Sequence, residues 1–340
     1  MKTQQRTSLL IATALFASLF PLTGQAAQIL GERLEVYGLL RLSLDYAEPD
    51  DDASDSESSL SSNASRFGFR GAIPIEGSAL TGLWQIERQL DISGESADIG
   101  QRETFVGLRG SFGTVRAGLL DNPYRVAGIR GTLFTGTAAD PQAIIGRSSD
   151  NAAHLNTRES GSIGWNAEFL GSRLAAQLGG IGEEESVSAS IGRAFGWADF
   201  TAAYRRDDNV DNAYRLTAVF TPGAVRVGLL FEHMDSDYAG FDRQTYGAHA
   251  QYAFGKATSL GIQWLHAAES DVGDDKADHI GLVLSHRLAP QLSVYLAGAT
   301  TLNGENAHYA VGGFGHGNPV GGGVGDNSPR ILSAGTVFAF

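Results

Sequence analysis

The sequence predicts an all-β fold, a transmembrane antiparallel β-barrel of sixteen strands. Three observations lead to this prediction. Segments of about ten residues alternate in polarity along the chain, as strands that cross a bilayer do. The connections between these segments are alternately short and long. Beyond the N-terminus, no segment is apolar over enough residues to form a membrane helix.

The alternation of polar and apolar residues defines the individual strands. An even number of strands places both chain ends on the same side of the membrane, as closure of an antiparallel barrel requires. The predicted strands are 33–47, 64–74, 80–91, 101–110, 114–120, 158–168, 173–181, 186–196, 197–206, 213–222, 224–236, 243–254, 257–269, 277–288, 291–302 and 329–340.

The connections separate into two kinds by length. Pro222-Gly223 and Gly255-Lys256 are typical of the short turns. The other connections are mostly longer and more polar, as in 49–63, 121–156 and 303–328. Short turns on one side of the membrane and long loops on the other are typical of outer-membrane barrels.

The two faces of a single strand support this topology. Phe67 and Phe69 fall on one face of their segment, whereas Arg66 and Arg70 fall on the other. The backbone of such a strand can cross lipid only if every polar group is paired, which a closed barrel achieves. The lumen of a sixteen-stranded barrel is too wide for side chains to fill, so we expect a water-filled pore.

The N-terminus has the three-part pattern of a secretory signal. Lys2 and Arg6 precede an apolar run over residues 9–22, and the small residues Gly24-Gln25-Ala26 follow it. We predict a signal peptide at 1–26, with cleavage after Ala27 as the alternative. A single barrel domain then occupies 27–340.

Composition excludes several other classes of protein. Loss of Lys2 and Arg6 with the signal peptide takes the net charge from −13 to −15, which argues against nucleic acid as a partner. The chain has no cysteine, so disulfides do not stabilise the exported fold. The glycine cluster at 312–325 lacks the Lys-Ser/Thr of a phosphate loop, and we expect no cofactor there. We interpret it as a flexible final outer loop.

Several motifs, in order along the chain, resemble the Gram-negative general porins. They include Val36-Tyr37-Gly38, residues 65–71, residues 112–118 and Arg158-Glu159-Ser160. The terminal Phe340 resembles the signal that the barrel-assembly machinery recognises. The resemblance implies a homotrimer in the outer membrane, surrounded by lipid and lipopolysaccharide, with the third loop folded inward to narrow each pore.

The resemblance also implies a set of pore-lining charges. Arg66, Arg102 and Arg158 match the family's basic wall positions, and Glu87 matches a nearby lumen carboxylate. Arg41 lies on the lumen face of the first strand, two residues beyond the family's basic position. Facing charges at a constriction orient dipolar solutes and select ions by sign.

The acidic side of the constriction is harder to place. The third loop, 121–156, lacks the family's usual Pro-Glu-Phe-Gly-Gly run. We expect Asp140 to be the acidic pore residue, although an aspartate before a proline is also a common turn former. The acidic run 48–57 is expected to be a solvated outer loop, with a divalent-ion bridge to lipopolysaccharide as the alternative.

These features predict passive diffusion of small hydrophilic solutes through a general porin, and no enzymatic activity. A substrate-specific channel for sugars or organic acids shares the fold and stays open as the alternative, whereas a barrel enzyme would need catalytic groups gathered at the rim. Charges at a narrow neck should outweigh outer loops that lie beyond a Debye length. The lumen arginines therefore predict a weak preference for anions.

Overall fold

The computed structural model describes residues 27–28, 31–50, 55–94, 99–182, 185–208, 210–313, 315–321 and 325–340. The predicted signal peptide at 1–26 lies outside the described residues. Within the described part, the chain forms a closed antiparallel barrel in which each strand pairs with the next along the chain. The prediction of sixteen antiparallel strands is confirmed.

The sixteen barrel strands are numbered in chain order. The barrel strands are β1 (Glu35–Glu48), β2 (Glu57–Ser62 continued by Arg66–Pro74), β3 (Thr81–Gln89), β4 (Gln101–Gly110), β5 (Gly113–Asp121), β6 (Arg158–Phe169), β7 (Ser172–Gly179), β8 (Ser186–Phe195), β9 (Ala198–Asp207), β10 (Val210–Phe220), β11 (Val225–Asp235), β12 (Arg243–Phe254), β13 (Thr258–Ala267), β14 (Ala277–Ala289), β15 (Leu292–Asn303) and β16 (Arg330–Ala339).

The barrel closes between its first and last strands. β16 pairs with β15 on one side and with β1 on the other, where Leu39 lies opposite Ala339. The terminal Phe340 N–H donates to the Gly38 carbonyl at 3.1 Å, and the Gly38 N–H donates back at 2.9 Å. Closure leaves no open sheet edge, which satisfies the backbone in lipid.

The second strand corrects one prediction. Residues 57–62, assigned above to an outer loop, pair with β1 from Leu42 to Ala47. Their serine-rich sequence carries little strand propensity, but Leu60 is exposed on the outer face while Ser61 is buried on the inner face. Pairing with a strong neighbouring strand therefore decides the conformation of this segment.

The two faces of the barrel differ in chemistry. On β10, Tyr214 and Leu216 are exposed, whereas Arg215 between them has no exposed surface. The same alternation recurs on β14, where Leu282 is exposed and Val283 is buried. The apolar outer face is the surface that lipid covers, and the inner face carries the polar groups.

The long connection between β5 and β6 contains a helix that the sequence analysis did not predict. Helix α1 (Pro123–Gly131) begins at Asn122, whose side chain accepts a hydrogen bond from the Arg125 N–H at 2.7 Å. A short 3₁₀ helix follows at Pro141–Ala143. Over the described residues, no helix is both long and apolar enough to cross a membrane.

Among the described residues, two pairings of two-residue strands lie outside the sixteen barrel strands. Ala27–Gln28 pairs with the start of β1, and Ala310–Val311 pairs with Val320–Gly321 inside the last long connection. In the described part of that connection, Tyr309 and Val311 have no exposed surface. Of the segment 312–325 that was interpreted above as a flexible loop, the described residues Gly312, Gly313 and Gly315 are buried. Residues 314 and 322–324 of that segment lie outside the described residues.

Candidate pore constriction

Charged side chains gather on the inner face of β2 to β6. Glu87 on β3 is shared by two arginines: Arg102 Nε donates to its Oε1, and Arg66 Nε lies 3.6 Å from its Oε2. The Tyr37 hydroxyl donates to the same carboxylate at 3.0 Å. The structure therefore brings three of the predicted residues, Arg66, Glu87 and Arg102, into one cluster.

A second cluster continues the row at β5 and β6. Arg158 Nε and Arg125 Nη1 lie 3.1 Å and 2.7 Å from Asp121 Oδ1. Arg116 Nη1 on β5 lies 3.2 Å from Glu103 Oε1. We call the two clusters together the arginine wall; it comprises Arg66, Arg102, Arg116, Arg125 and Arg158 with Glu87, Glu103 and Asp121. With all groups ionised, five positive and three negative charges give an excess of two positive charges.

Arg41 also faces the inside of the barrel but has a different environment. Its Nη1 donates to the carbonyl oxygens of Thr135 and Gly136 at 2.9 Å and 2.8 Å. The side chain is buried. Arg41 therefore holds the backbone of the third loop, and little of its guanidinium surface is left for a solute.

Asp140, predicted to be the acidic pore residue, is fully buried. Its carboxylate accepts hydrogen bonds from the N–H groups of Gly136 and Gln142 at 2.6 Å and 2.9 Å, and it caps the 3₁₀ helix. This is the turn-forming role of an aspartate before a proline. Asp140 is accordingly left out of the constriction proposed below.

The third loop, residues 122–157, is fixed to the inner face of β10 and β11 by a buried ion pair. Arg215 Nε donates to Glu232 Oε2 at 2.7 Å, and both side chains have no exposed surface. Arg215 Nη1 also donates to the Tyr124 carbonyl at 2.8 Å and to Asn156 Oδ1 at 3.0 Å. Its guanidinium carbon lies 3.8 Å from the centre of the Tyr124 ring.

Glu232 completes this anchor from the neighbouring strand. It accepts hydrogen bonds from the Gly146 N–H at 2.7 Å and from the Tyr124 hydroxyl at 2.8 Å. A buried ion pair is favourable only when hydrogen bonds satisfy its remaining donors and acceptors, and here the loop supplies them. Apolar contacts of Tyr124 and Ala127 with Ala203 on β9 and Met234 on β11 add to the attachment.

The far end of the third loop reaches strands on another arc of the barrel. The Leu133 N–H donates to Gln263 Oε1 on β13 at 2.8 Å. Ala138 and Ala139 pack in one cluster with Val283 on β14 and Tyr295 on β15. The loop is thus bonded to β1, β10, β11 and β13 and packed against β14 and β15. The residues of the arginine wall lie on β2 to β6, except Arg125, which the third loop itself contributes from helix α1.

The last connection, residues 304–329, packs against the tip of the third loop. A Cβ atom on Gly313 would overlap the Ala143 backbone nitrogen, and one on Gly315 would overlap the Asp140 carboxylate. The Gly317 N–H donates to Asn63 Oδ1 at 2.8 Å. His316 Nε2 lies 3.1 Å from Asp45 Oδ2 on β1, with both side chains buried. The two loops therefore support each other.

Comparison with known proteins identifies the family. The family model described as Gram-negative porin matches residues 11–306. The chain belongs to the Gram-negative porin family. As a porin it is an outer-membrane protein that forms a passive channel, in agreement with the predicted fold, function and localisation.

Relatives of this porin include major outer membrane proteins. The major outer membrane protein P.IB of Neisseria gonorrhoeae is 25% identical over 260 residues, which cover 65% of this chain and 71% of the relative. A protein named monosaccharide porin from Halomonas sp is 28% identical over 302 residues, covering 78% of this chain and 80% of the relative.

Solved porin structures share the fold. An anion-selective porin from Comamonas acidovorans superimposes with a TM-score of 0.77 at 19% identity, covering 90% of this chain and 99% of that one. The trimer form of OmpT from Vibrio cholerae gives a TM-score of 0.67 at 17% identity, with coverage of 90% and 99%. At such identities the likeness concerns the fold alone.

Burial changes the protonation chemistry of the porin's third loop. The pKa of His154 falls to about 4, because of burial and then the nearby Arg147 and Arg125 guanidinium groups. Burial also lowers the pKa of Arg147 to about 10, which Asp140 partly opposes. His154 is therefore neutral at physiological pH, whereas Arg147 keeps its charge.

Arg116 and Glu103 of this porin were not among the predicted pore residues. Arg116 falls on the inner face by simple alternation along β5, so the strand pattern alone contained that signal. Glu103 follows Arg102 directly, and the register shift between β3 and β4 lets two consecutive side chains face the same cluster. Such a bulge breaks the two-residue period and gives no clear signal in the sequence.

Proposed function

We propose that this porin is a general diffusion channel for small hydrophilic solutes whose narrowest part lies between the third loop and the arginine wall. The observation that carries this proposal is the division of the inner face. The third loop is bonded to β1, β10, β11 and β13, and packs on β14 and β15. Free space for a solute then lies beside β2 to β6, where the charged side chains are. Arg66, Arg102, Arg158 and Glu87 belong to this constriction, and Arg41 acts by holding the loop.

The excess positive charge of the arginine wall favours anions. Two uncompensated charges at roughly 8 Å in water attract a monovalent anion by about 1 kcal/mol, and salt screening at that distance leaves less than half. A preference of roughly two- to fivefold follows from these values. Next to the arginine wall, Arg205 forms ion pairs with Glu159 and Asp207. These three groups together carry one net negative charge, which keeps the preference for anions weak.

Reversal potential across a planar bilayer under a salt gradient tests this proposal. We expect an anion-favouring potential in the wild type and its loss in Arg66→Ala with Arg102→Ala. Arg206→Gln is the matched control, because Arg206 is exposed on the face of β9 opposite to Arg205. A cation-favouring wild type, or an unchanged double variant, would overturn the assignment of the arginine wall. A folded barrel without conductance would refute the channel itself.

We propose a homotrimer as the functional assembly. The likeness to a porin solved in a trimer form supports this proposal. Conductance should then increase in steps that are grouped in threes. Single, independent steps from the purified protein would contradict the trimer without affecting the channel.

Export and membrane insertion complete the proposal. Cleavage of residues 1–26 would leave Ala27 as the first residue, which N-terminal sequencing of the mature protein tests. Phe340 would serve as the signal for the barrel-assembly machinery; its ring lies 6.1 Å from the Phe338 ring, and both rings are exposed. The exposed apolar outer face would contact outer-membrane lipid and lipopolysaccharide.

A substrate-specific sugar channel is the second candidate, favoured by the name of the Halomonas relative. The two candidates differ in how flux depends on solute concentration. We expect glucose flux into liposomes to rise linearly with concentration, since a general porin holds no solute tightly. Saturation at millimolar glucose would establish the sugar channel instead. In neither case do we expect the solute to be chemically changed.

A further inference from the structure

Three arginines outside the arginine wall gather near the short turns of the barrel. Arg173 is the second residue of β7, and Arg226 is the second residue of β11. Arg130 lies in the last turn of helix α1. Arg226 Nη2 donates to the Arg130 carbonyl oxygen at 3.0 Å, which joins the end of the helix to the barrel wall.

Arg173 lies in the same region, because helix α1 contacts β7 and β9, the strands that carry Arg173 and Asp199. Its Nη2 lies 2.7 Å from Asp199 Oδ1 on β9, and the guanidinium occupies the space over Gly192, where a Cβ atom would be 2.7 Å from Nη2. Partial burial lowers the pKa of Arg130, the nearby Arg173 lowers it further, and Asp199 opposes this effect. Arg130, Arg173 and Asp199 therefore act on one another.

The balance of charge in this cluster is positive. Three guanidinium groups face one carboxylate, and Asp199 is bonded to Arg173 alone of the three. The side chains of Arg173 and Asp199 are each about a third exposed, at 31% and 30%, and Arg130 is also exposed. Water in the pore can therefore reach the cluster. Guanidinium groups bind oxyanions through paired N–H donors, so this chemistry fits phosphate or carboxylate groups.

We propose that Arg130, Arg173 and Arg226 form a second anion-binding station, separate from the arginine wall, at the periplasmic end of the pore. It binds small oxyanions that carry a phosphate or carboxylate group. The proposal rests on the proposed channel function, because an anion reaches this second site from outside only by passing through the pore and the arginine wall. Short turns face the periplasm in outer-membrane barrels, which sets the position of the station. With two anion-binding sites in series along the pore, an anion that leaves the arginine wall meets a second attractive site, which favours its passage through the channel.

Inorganic phosphate is the probe for this station. Chloride current through the wild-type channel in a planar bilayer should fall in a saturable manner as phosphate is added to one chamber. In channels inserted with one orientation, addition on the periplasmic side should act at lower concentration than addition on the other side. Arg173→Gln with Arg226→Gln should weaken the apparent phosphate affinity about tenfold.

Asp199→Asn provides a test in the opposite direction. It removes the negative charge and keeps all three arginines, so phosphate block should become a few times tighter. Arg193→Gln is the control; Arg193 is exposed on the outer face of β8, where its guanidinium carbon lies 5.0 Å from the centre of the Phe195 ring. Phosphate should block the current through the Arg193→Gln channel at the same concentration as in the wild type.

The outcomes separate the station from the channel. A conducting wild type whose current shows no saturable response to phosphate would overturn the station while leaving the channel in place. The same conclusion follows if the double arginine variant and Asp199→Asn both keep the wild-type affinity. Absence of conductance from the folded wild type would instead refute the proposed function on which the station rests. Acetate in place of phosphate distinguishes a carboxylate preference from a phosphate preference.

Discussion

Loss of the Arg215 side chain should release the third loop while leaving the barrel folded. In Arg215→Met, Glu232 keeps only the Gly146 N–H and the Tyr124 hydroxyl as partners. Removing one member of a fully buried ion pair costs about 3–5 kcal/mol. At about 1.4 kcal/mol for each factor of ten, the population of the released loop rises by roughly 10²- to 4 × 10³-fold. The strand ladders do not depend on this pair, so the barrel itself remains intact.

Single-channel recording and hydrogen exchange measure this effect. We expect larger and noisier conductance, together with faster exchange of the helix α1 amides, at unchanged exchange in β12 to β16. The double variant Arg215→Met with Glu232→Gln removes both charges, and most of the loss should be recovered because no unpaired charge stays buried. Wild-type conductance and exchange in the single variant would refute the argument that this ion pair holds the loop.

Three further predictions concern the two loops. Gly315→Ala should loosen the last connection, because the added Cβ would overlap the Asp140 carboxylate. Gly82→Ala is the control, since its Cβ would lie 3.7 Å from the nearest atom and should leave the structure unchanged. The protease sensitivity of the last connection measures the effect of both variants. Asp140→Asn should leave the reversal potential unchanged, while a stronger anion preference would show that Asp140 lines the pore after all. His154 has a lowered pKa only while the third loop is docked in the barrel, and release of the loop restores its ordinary pKa near 6.5. Docking of the third loop should therefore be strongest above about pH 6.5 and should weaken toward pH 4. Hydrogen exchange against pH checks this effect, which His154→Gln should abolish.

The barrel was predictable because its information is local. A two-residue alternation and a turn at each end are contained within about a dozen residues, and the predicted bounds 243–254 coincide with β12. The other predicted strands end within about three residues of their observed bounds, which is the usual uncertainty at element ends. The exception is the segment 57–62, whose conformation comes from its partner strand.

The arrangement of charges at the proposed constriction was predictable only in part, because it depends on contacts between distant residues. The inner-face position of Arg66 follows from alternation along its strand, and its cluster with Glu87 follows from the pairing of adjacent strands. By contrast, Arg41 bonds to carbonyl groups more than 90 residues away, at Thr135 and Gly136. Nothing near Arg41 in the sequence indicates those partners. For Asp140, the proline that follows it indicated the turn-forming role as the alternative, whereas its burial beneath Gly315 of the last connection has no local signal.

The contact between the last connection and the second strand has a consequence for the order of folding. Gly317 and Asn63 are 254 residues apart in the chain. Contacts of such separation form late, since loop closure must come first. The third loop is complete by residue 157, yet its tip is supported by residues beyond 304. The filter of this porin should therefore reach its final form only after the barrel has closed, so a closed barrel whose last connection has not yet packed would be a leakier channel.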